Sequence, residues 1–298
     1  MKPAWARLPT ESRNPRSRRL DEMPAARVVA LLLDEDRRGV AATLRQVPAI
    51  TRAAMLVAKA LESGGRIHFL GAGTSGRLGI LEAAECPPTF GSDPDRIRGI
   101  MAGGEGAVFR AVEGAEDRED EGRREGSGVD AGDLLIGISA SSVTPFVRGA
   151  LSAAREKGAR TVLVTCAPGR GLRGLADVVI AIATGPEVLT GSTRLKAGSA
   201  TKAVLNAITT TAMVRLGKSF ENLMVDLRPT NAKLRDRARR IVAAGGDVER
   251  AEAERLLEAA GGEVKTAIVM ARTGGSPGDA RARLDRARGH VRKALAKR

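Results

Sequence analysis

Two turns carry the residue types that can hold a phosphate. The first, Gly71-Ala72-Gly73-Thr74-Ser75-Gly76-Arg77, follows the apolar run "IHFL" and precedes a helical stretch. The second places Ser139, Ser141, Ser142 and Thr144 between the apolar run "DLLIGI" and a helical stretch over 142–158. Unpaired N–H groups and the helix dipole make a helix N-terminus favourable for an anion. Hydroxyls and backbone amides together can cradle a phosphate. One such turn alone would read equally well as a helix cap. Two in one sheet point to a phosphorylated small molecule. The first turn also matches G-x-G-x-x-G, but a dinucleotide fold needs an acid at the end of the next strand, about 20 positions on. Here "CPPTFGSDPD" (86–95) puts Asp93 and Asp95 in a proline-rich loop, so no nicotinamide or flavin is expected.

The acids are harder to read. Glu85 precedes Cys86, Pro87 and Pro88, and the prolines are predicted to end the helix and extend the chain there. Glu116 sits among Glu113, Asp117, Glu119, Asp120 and Glu121, which by composition is a solvated acidic face. "GSTRLKAG" offers Ser192, Thr193, Arg194 and Lys196, a pattern that also fits a cap with surface charges. His68 lies inside an apolar run and reads as a packed histidine. Cys86 and Cys166 have neither disulfide nor metal-ligand spacing, so no metal and no thiol nucleophile is expected.

The elements that must position these residues follow from hydrophobic pattern. Residues 22–62 have helical periodicity, with breaks expected near Gly39 and Pro48. Strands are predicted at 66–71, 98–104, 133–141, 160–166 and 176–182, and helices at 107–125, 142–158 and 196–217. Apolar strands alternating with helices imply an α/β three-layer sandwich built on a parallel sheet, with ligands beyond the strands' carboxyl ends. After about residue 240 come helical stretches at 248–260, 263–272 and 279–296, a small C-terminal helical subdomain. The expected division is an N-terminal helical segment at 1–60, a core domain at 61–240 and the helical subdomain at 241–298.

Composition narrows the function classes. The 298 residues have a net charge of +14, of which residues 1–19 and 281–298 contribute +12. With no tyrosine and few aromatic residues, stacking platforms for bases are scarce, and no nucleic-acid partner is expected. No apolar stretch approaches the roughly 20 residues that span a bilayer, and the N-terminus has no signal-like apolar core. No membrane association and a cytoplasmic location are the expectation.

Four stretches, "FLGAGTSGRLGILEAAECPPTFG", "AGGEGAVFRAVEGAED", "TGSTRLKAGSATKAVLN" and "NLMVDLRPTNAKLRDRA", closely resemble N-acetylmuramic acid 6-phosphate etherases, and the resemblance runs from "TESRN" to the C-terminal helices. It implies the sugar isomerase (SIS) fold, with a flavodoxin-like parallel sheet and a helical subdomain. It implies a cytoplasmic homodimer that cleaves the D-lactyl ether of a phosphorylated amino sugar without cofactor or metal. It maps the family's two functional glutamates onto Glu85, as proton donor to the leaving lactate, and Glu116, as partner at C2. Gly73, Thr74, Ser75, Gly76, Arg77, Ser141, Ser142 and Thr144 fall on the phosphosugar loops, with Ser192 and Lys196 near the sugar. One departure stands out: the family's Ala-Ser-Gly-Arg-Thr-Pro is here Ala140-Ser141-Ser142-Val143-Thr144-Pro145. Two other readings share these loops: a sugar-phosphate-binding regulator like the glucokinase regulatory protein, and an aldose–ketose isomerase.

Overall fold

The computed structural model describes residues 8–227 and 231–296. The chain divides into two compact units, residues 1–84 with 95–209, and 85–94 with 210–298. In chain order the first unit carries α1 (Ala25–Ala42), α2 (Val47–Glu62), β1 (Ile67–Gly71), the start of α3 (Gly73–Phe90), β2 (Ile97–Met101), α4 (Glu119–Ser127), β3 (Leu134–Ile138), α5 (Pro145–Glu156), β4 (Arg160–Thr165), β5 (Val178–Ala181) and most of α6 (Lys196–Arg215). The five strands are all parallel in the order β2-β1-β3-β4-β5. That is the flavodoxin-like order, and its switch point lies between β1 and β3.

Strands covered on both faces must be apolar throughout, and β1 and β3 are buried at every position. Leu70, Leu135 and Leu163 point to one face, where Phe146, Val147 and Leu151 of α5 cover them. On the other face Ile80 of α3 lies over Gly99 of β2. Burying each such side chain contributes about 1.5–3 kcal/mol as an upper estimate. The turn from β1 into α3 is very tight: a Cβ on Gly76 would stand 2.6 Å from the Gly71 carbonyl oxygen, so only glycine allows helix and strand to meet.

The second unit is helical. After the short β6–β7 hairpin (Ser219–Phe220, Leu223–Met224) come α7 (Ala232–Gly246), α8 (Arg250–Ala259), α9 (Val264–Thr273), α10 (Pro277–Arg286) and α11 (Val291–Leu295). Its core includes Val242, Leu256, Ile268, Leu284 and Val291. The Asn231 side chain caps α7, and Ser276 with Asp279 forms a capping box on α10. Among the described residues no helix is long and apolar enough to cross a membrane.

Four local expectations are corrected. The helix does not stop at Glu85: α3 runs through Pro87 and Pro88 to Phe90, and Gly91 N–H closes it on the Pro87 carbonyl at 2.9 Å. Proline's fixed φ is itself helical, and what it removes is the hydrogen bond to the carbonyl four residues back. The stretch 107–125 is helical only from Glu119; before that come short 3₁₀ turns at Glu105–Val108 and Ala115–Asp117. Gly39 does not break α1. Its missing side chain admits Lys196, whose Cγ would lie 2.4 Å from a Cβ there. The basic stretch 279–296 is two helices, because Arg288 and Gly289 both take positive φ between them.

Candidate active site

The turns after β1 and β3 flank the sheet's switch point, and a cleft of about 330 Å³ opens there. Gly73, Thr74 and Ser75 line it from the first turn, and Ser141 and Thr144 from the second. These turns lead into α3 and α5, so two helix N-termini face the same space. Thr144 occupies the N-cap of α5 without capping it through its side chain; its hydroxyl instead shares a 2.8 Å hydrogen bond with Ser139. Val143 N–H donates to Ser141 Oγ at 3.4 Å. The arrangement suits a phosphate, which accepts hydrogen bonds from hydroxyls and from helix-terminal amides.

Glu116 also lines the cleft, with Asp117. Composition put it on a solvated face, and it is exposed, but it reaches the cleft from the Ala115–Asp117 turn, which follows Gly114 in the left-handed region. Ala115 is buried, which anchors that turn. Glu116 is therefore separated from the acidic helix α4. Arg77 braces the segment before it, donating Nε to the Val108 carbonyl at 2.7 Å and Nη2 to the Ala107 carbonyl at 2.8 Å. Arg77 and Gly76 do not line the cleft.

Ser142 adopts φ 65°. The backbone thus keeps a left-handed conformation at the position where the resembling family has glycine, at a cost of roughly 1–2 kcal/mol for a side-chain-bearing residue. Ser142 and Ser192 adjoin cleft residues in the chain without lining the cleft themselves.

Lys196 is buried. Its Nζ donates to Glu35 Oε2 at 2.6 Å and to the Pro186 carbonyl at 2.7 Å. Burial alone would raise the Glu35 carboxyl; the hydrogen bonds from Lys196, Arg16 and Asn14 outweigh it and hold that carboxyl below its usual range. The Lys196 amide belongs to a second buried acid that the sequence reading missed. Glu187 accepts the N–H groups of Lys196 and Ala197 at 3.1 and 2.8 Å and so caps α6. Burial pushes the Glu187 carboxyl up against the pull of those two bonds. Gly191 and Thr193, in the loop between Glu187 and α6, line the cleft. So do Leu8, Thr10 and Glu11; the last two open the "TESRN" stretch at which the resemblance begins, but none of the three was expected at the site.

Glu85 belongs to the second compact unit and occupies an exposed position on α3. Three turns of that helix separate it along the chain from Thr74.

Comparison with known proteins adds the family. Residues 49–155 match the glucokinase regulatory protein N-terminal SIS domain, and residues 116–211 match the SIS domain. Among curated relatives, the N-acetylmuramic acid 6-phosphate etherase of Gloeobacter violaceus is 49% identical over 297 residues, covering 99% of this chain and 97% of its own. That of Mycolicibacterium smegmatis is 48% identical over 290 residues, covering 97% of each. The phosphoheptose isomerase structure from Neisseria gonorrhoeae is a looser match, 20% identical with a TM-score of 0.45 over 62% of this chain and 98% of its own. With nearly half its residues shared along almost its whole length, the chain belongs to the N-acetylmuramic acid 6-phosphate etherase family.

Proposed function

We propose that this protein cleaves the D-lactyl ether of N-acetylmuramic acid 6-phosphate, giving N-acetylglucosamine 6-phosphate and D-lactate. The observation that carries the reading is a cleft at the sheet's switch point combining hydroxyl-rich helix N-termini with a carboxylate, Glu116, in a chain of this family. The chemical difficulty is a poor leaving group at C3. In the open-chain sugar the C1 aldehyde acidifies the C2 proton. Glu116 takes that proton as general base, the C3–O bond breaks, and Glu85 as general acid protonates the departing lactyl oxygen. Water then adds across the C2=C3 bond, with hydroxyl to C3 and a proton returned to C2. This is carbon–oxygen lyase chemistry followed by hydration, and it asks for two carboxyl groups and no cofactor.

The loops would hold the phosphate through Thr74, Ser75, Ser141 and Thr144. The functional unit is proposed to be a homodimer. In support, Val29, Leu33, Val40, Leu44 and Val47 form an exposed apolar stripe along α1 and into α2, more than scattered surface residues require. A cytoplasmic role in recovering cell-wall sugar fits this chemistry.

The test is incubation with N-acetylmuramic acid 6-phosphate and measurement of D-lactate. Release is expected, with Glu116→Gln and Glu85→Gln each lowering kcat by about 10²–10⁴ while circular dichroism stays unchanged. Folded protein that releases no lactate anywhere between about pH 5 and 9, the range over which a carboxyl pair can be tuned, rejects the reading. Interconversion of hexose 6-phosphates without lactate would assign an isomerase instead.

A further inference from the structure

The cleft holds a carboxylate that neither the reaction above nor the phosphate loops use. Glu11 stands on its wall beside Thr10. Glu11 is itself exposed, but the backbone that carries it is anchored. Thr10 is 1% exposed, and its carbonyl accepts the Gly191 N–H at 3.3 Å. The Thr10 hydroxyl donates to Glu11 Oε1 at 3.4 Å. A Cβ on Gly191 would stand 3.1 Å from Glu11 Oε2, so the carboxylate packs against bare backbone.

Three residues on, Asn14 is 4% exposed and fully engaged. Its Nδ2 donates to Glu35 Oε2 at 3.0 Å and to the Pro186 carbonyl at 3.2 Å, while its Oδ1 accepts the Arg16 N–H at 2.9 Å. The Ser17 hydroxyl donates to the Val188 carbonyl at 2.7 Å. Residues 10–17 are thus laced to the 186–191 loop, with Lys196 bound to the same Glu35 oxygen and the same Pro186 carbonyl as Asn14. Such effort on a surface segment needs a purpose, and the group it delivers to the cleft is Glu11.

We infer that Glu11 contacts the substrate and determines specificity, accepting a hydrogen bond from a sugar hydroxyl or acetamido N–H, and that Asn14 is the positioning residue that holds it there. The inference rests on the etherase reading. An ionised carboxylate can only accept hydrogen bonds. The substrate carries a phosphate and a lactyl carboxylate, and Glu11 repels both, so it must face the neutral donors of the sugar. It therefore orients the ligand: phosphate against the hydroxyls of Thr74, Ser75, Ser141 and Thr144, sugar donors toward the N-terminal segment. A sugar phosphate lacking the matching donor would leave the carboxylate unpaired, which discriminates more strongly than an apolar contact does.

The experiment is steady-state D-lactate release by the full-length enzyme and by Glu11→Gln, Glu11→Ala, Asn14→Ala and the Glu11→Ala/Asn14→Ala double variant. Melting curves run alongside. Glu11→Ala is expected to raise KM about tenfold or more, the size of a lost hydrogen bond to a charged group, with kcat within about threefold. Glu11→Gln, which keeps one acceptor oxygen, should fall between it and the parent. Asn14→Ala should raise KM alone but add less than about twofold in the Glu11→Ala background, because it acts through Glu11. A KM for Glu11→Ala within about twofold of the parent, or a loss confined to kcat, overturns the inference. Fully multiplicative effects of the two alanines overturn the positioning role. Parent enzyme that releases no lactate defeats the etherase reading itself, a distinguishable result.

Discussion

Removing the Lys196 ammonium should destabilise the first unit strongly, and the structure sets the size. Lys196 Nζ and Glu35 Oε2 are 2.6 Å apart, with side chains only 4% and 5% exposed. Truncating one partner of a buried pair typically costs about 3–5 kcal/mol, because the other charge stays behind without its counterion. After Lys196→Met, Glu35 keeps Arg16 at 2.5 Å and Asn14 at 3.0 Å, so the loss should sit near about 3 kcal/mol. After Glu35→Gln, Lys196 retains its bond to the Pro186 carbonyl but no carboxylate, and the loss should be nearer about 4 kcal/mol. The double variant buries neither charge and should cost about 4–5 kcal/mol, less than the sum by a coupling of about 2–3 kcal/mol, at the upper end of contacting pairs. Urea denaturation followed by far-ultraviolet circular dichroism measures all three. Melting temperature should fall on the order of 6 °C for Lys196→Met. Single losses below about 1 kcal/mol, or additive ones, would refute the claim that this pair is a buried structural clasp.

Ser142→Gly should stabilise the protein by about 1 kcal/mol by removing left-handed strain at φ 65°, read as a higher urea midpoint; an unchanged midpoint counts against the strain. His68 is 5% exposed, and burial lowers its pKa below 6.5 despite the opposing pull of Asp133. A buried base with a lowered pKa favours the folded state above its free pKa of 6.5 and loses that contribution as pH falls through the folded value. Melting temperature should therefore drop as pH falls below about 6.5 in the parent more steeply than in His68→Gln, and parallel profiles would contradict it. Burial pushes the Cys166 thiol up to about 11, so iodoacetamide at neutral pH should leave it unmodified in the native protein and label it in urea, as peptide mass spectrometry will show.

The strands and the two hydroxyl-rich turns were legible because each is a local property. An apolar run of five residues must be covered on both faces, as β1 and β3 are, and a glycine beside hydroxyls after such a run must turn. The flavodoxin-like order was implied by the family resemblance, and the ligand's location follows from that order. Helix boundaries were less legible where two signals competed. Pro87 and Pro88 weaken α3 without ending it, and Gly39 serves Lys196 rather than a break.

Charged residues divide sharply at this line. From its neighbours alone, Glu116 looks like one more acid on a wet face, and Lys196 looks like a surface cation before a helix. Folding sends the first into a cleft through a turn at Gly114 and buries the second against an acid 161 residues away. Hydrophobic periodicity is written in consecutive residues, so the layers of the sandwich could be read from the chain unaided. Where a charge finds its partner depends on pairings such as Asn14 with Pro186, 172 residues apart, and a contact across that distance leaves no imprint on the residues beside either end.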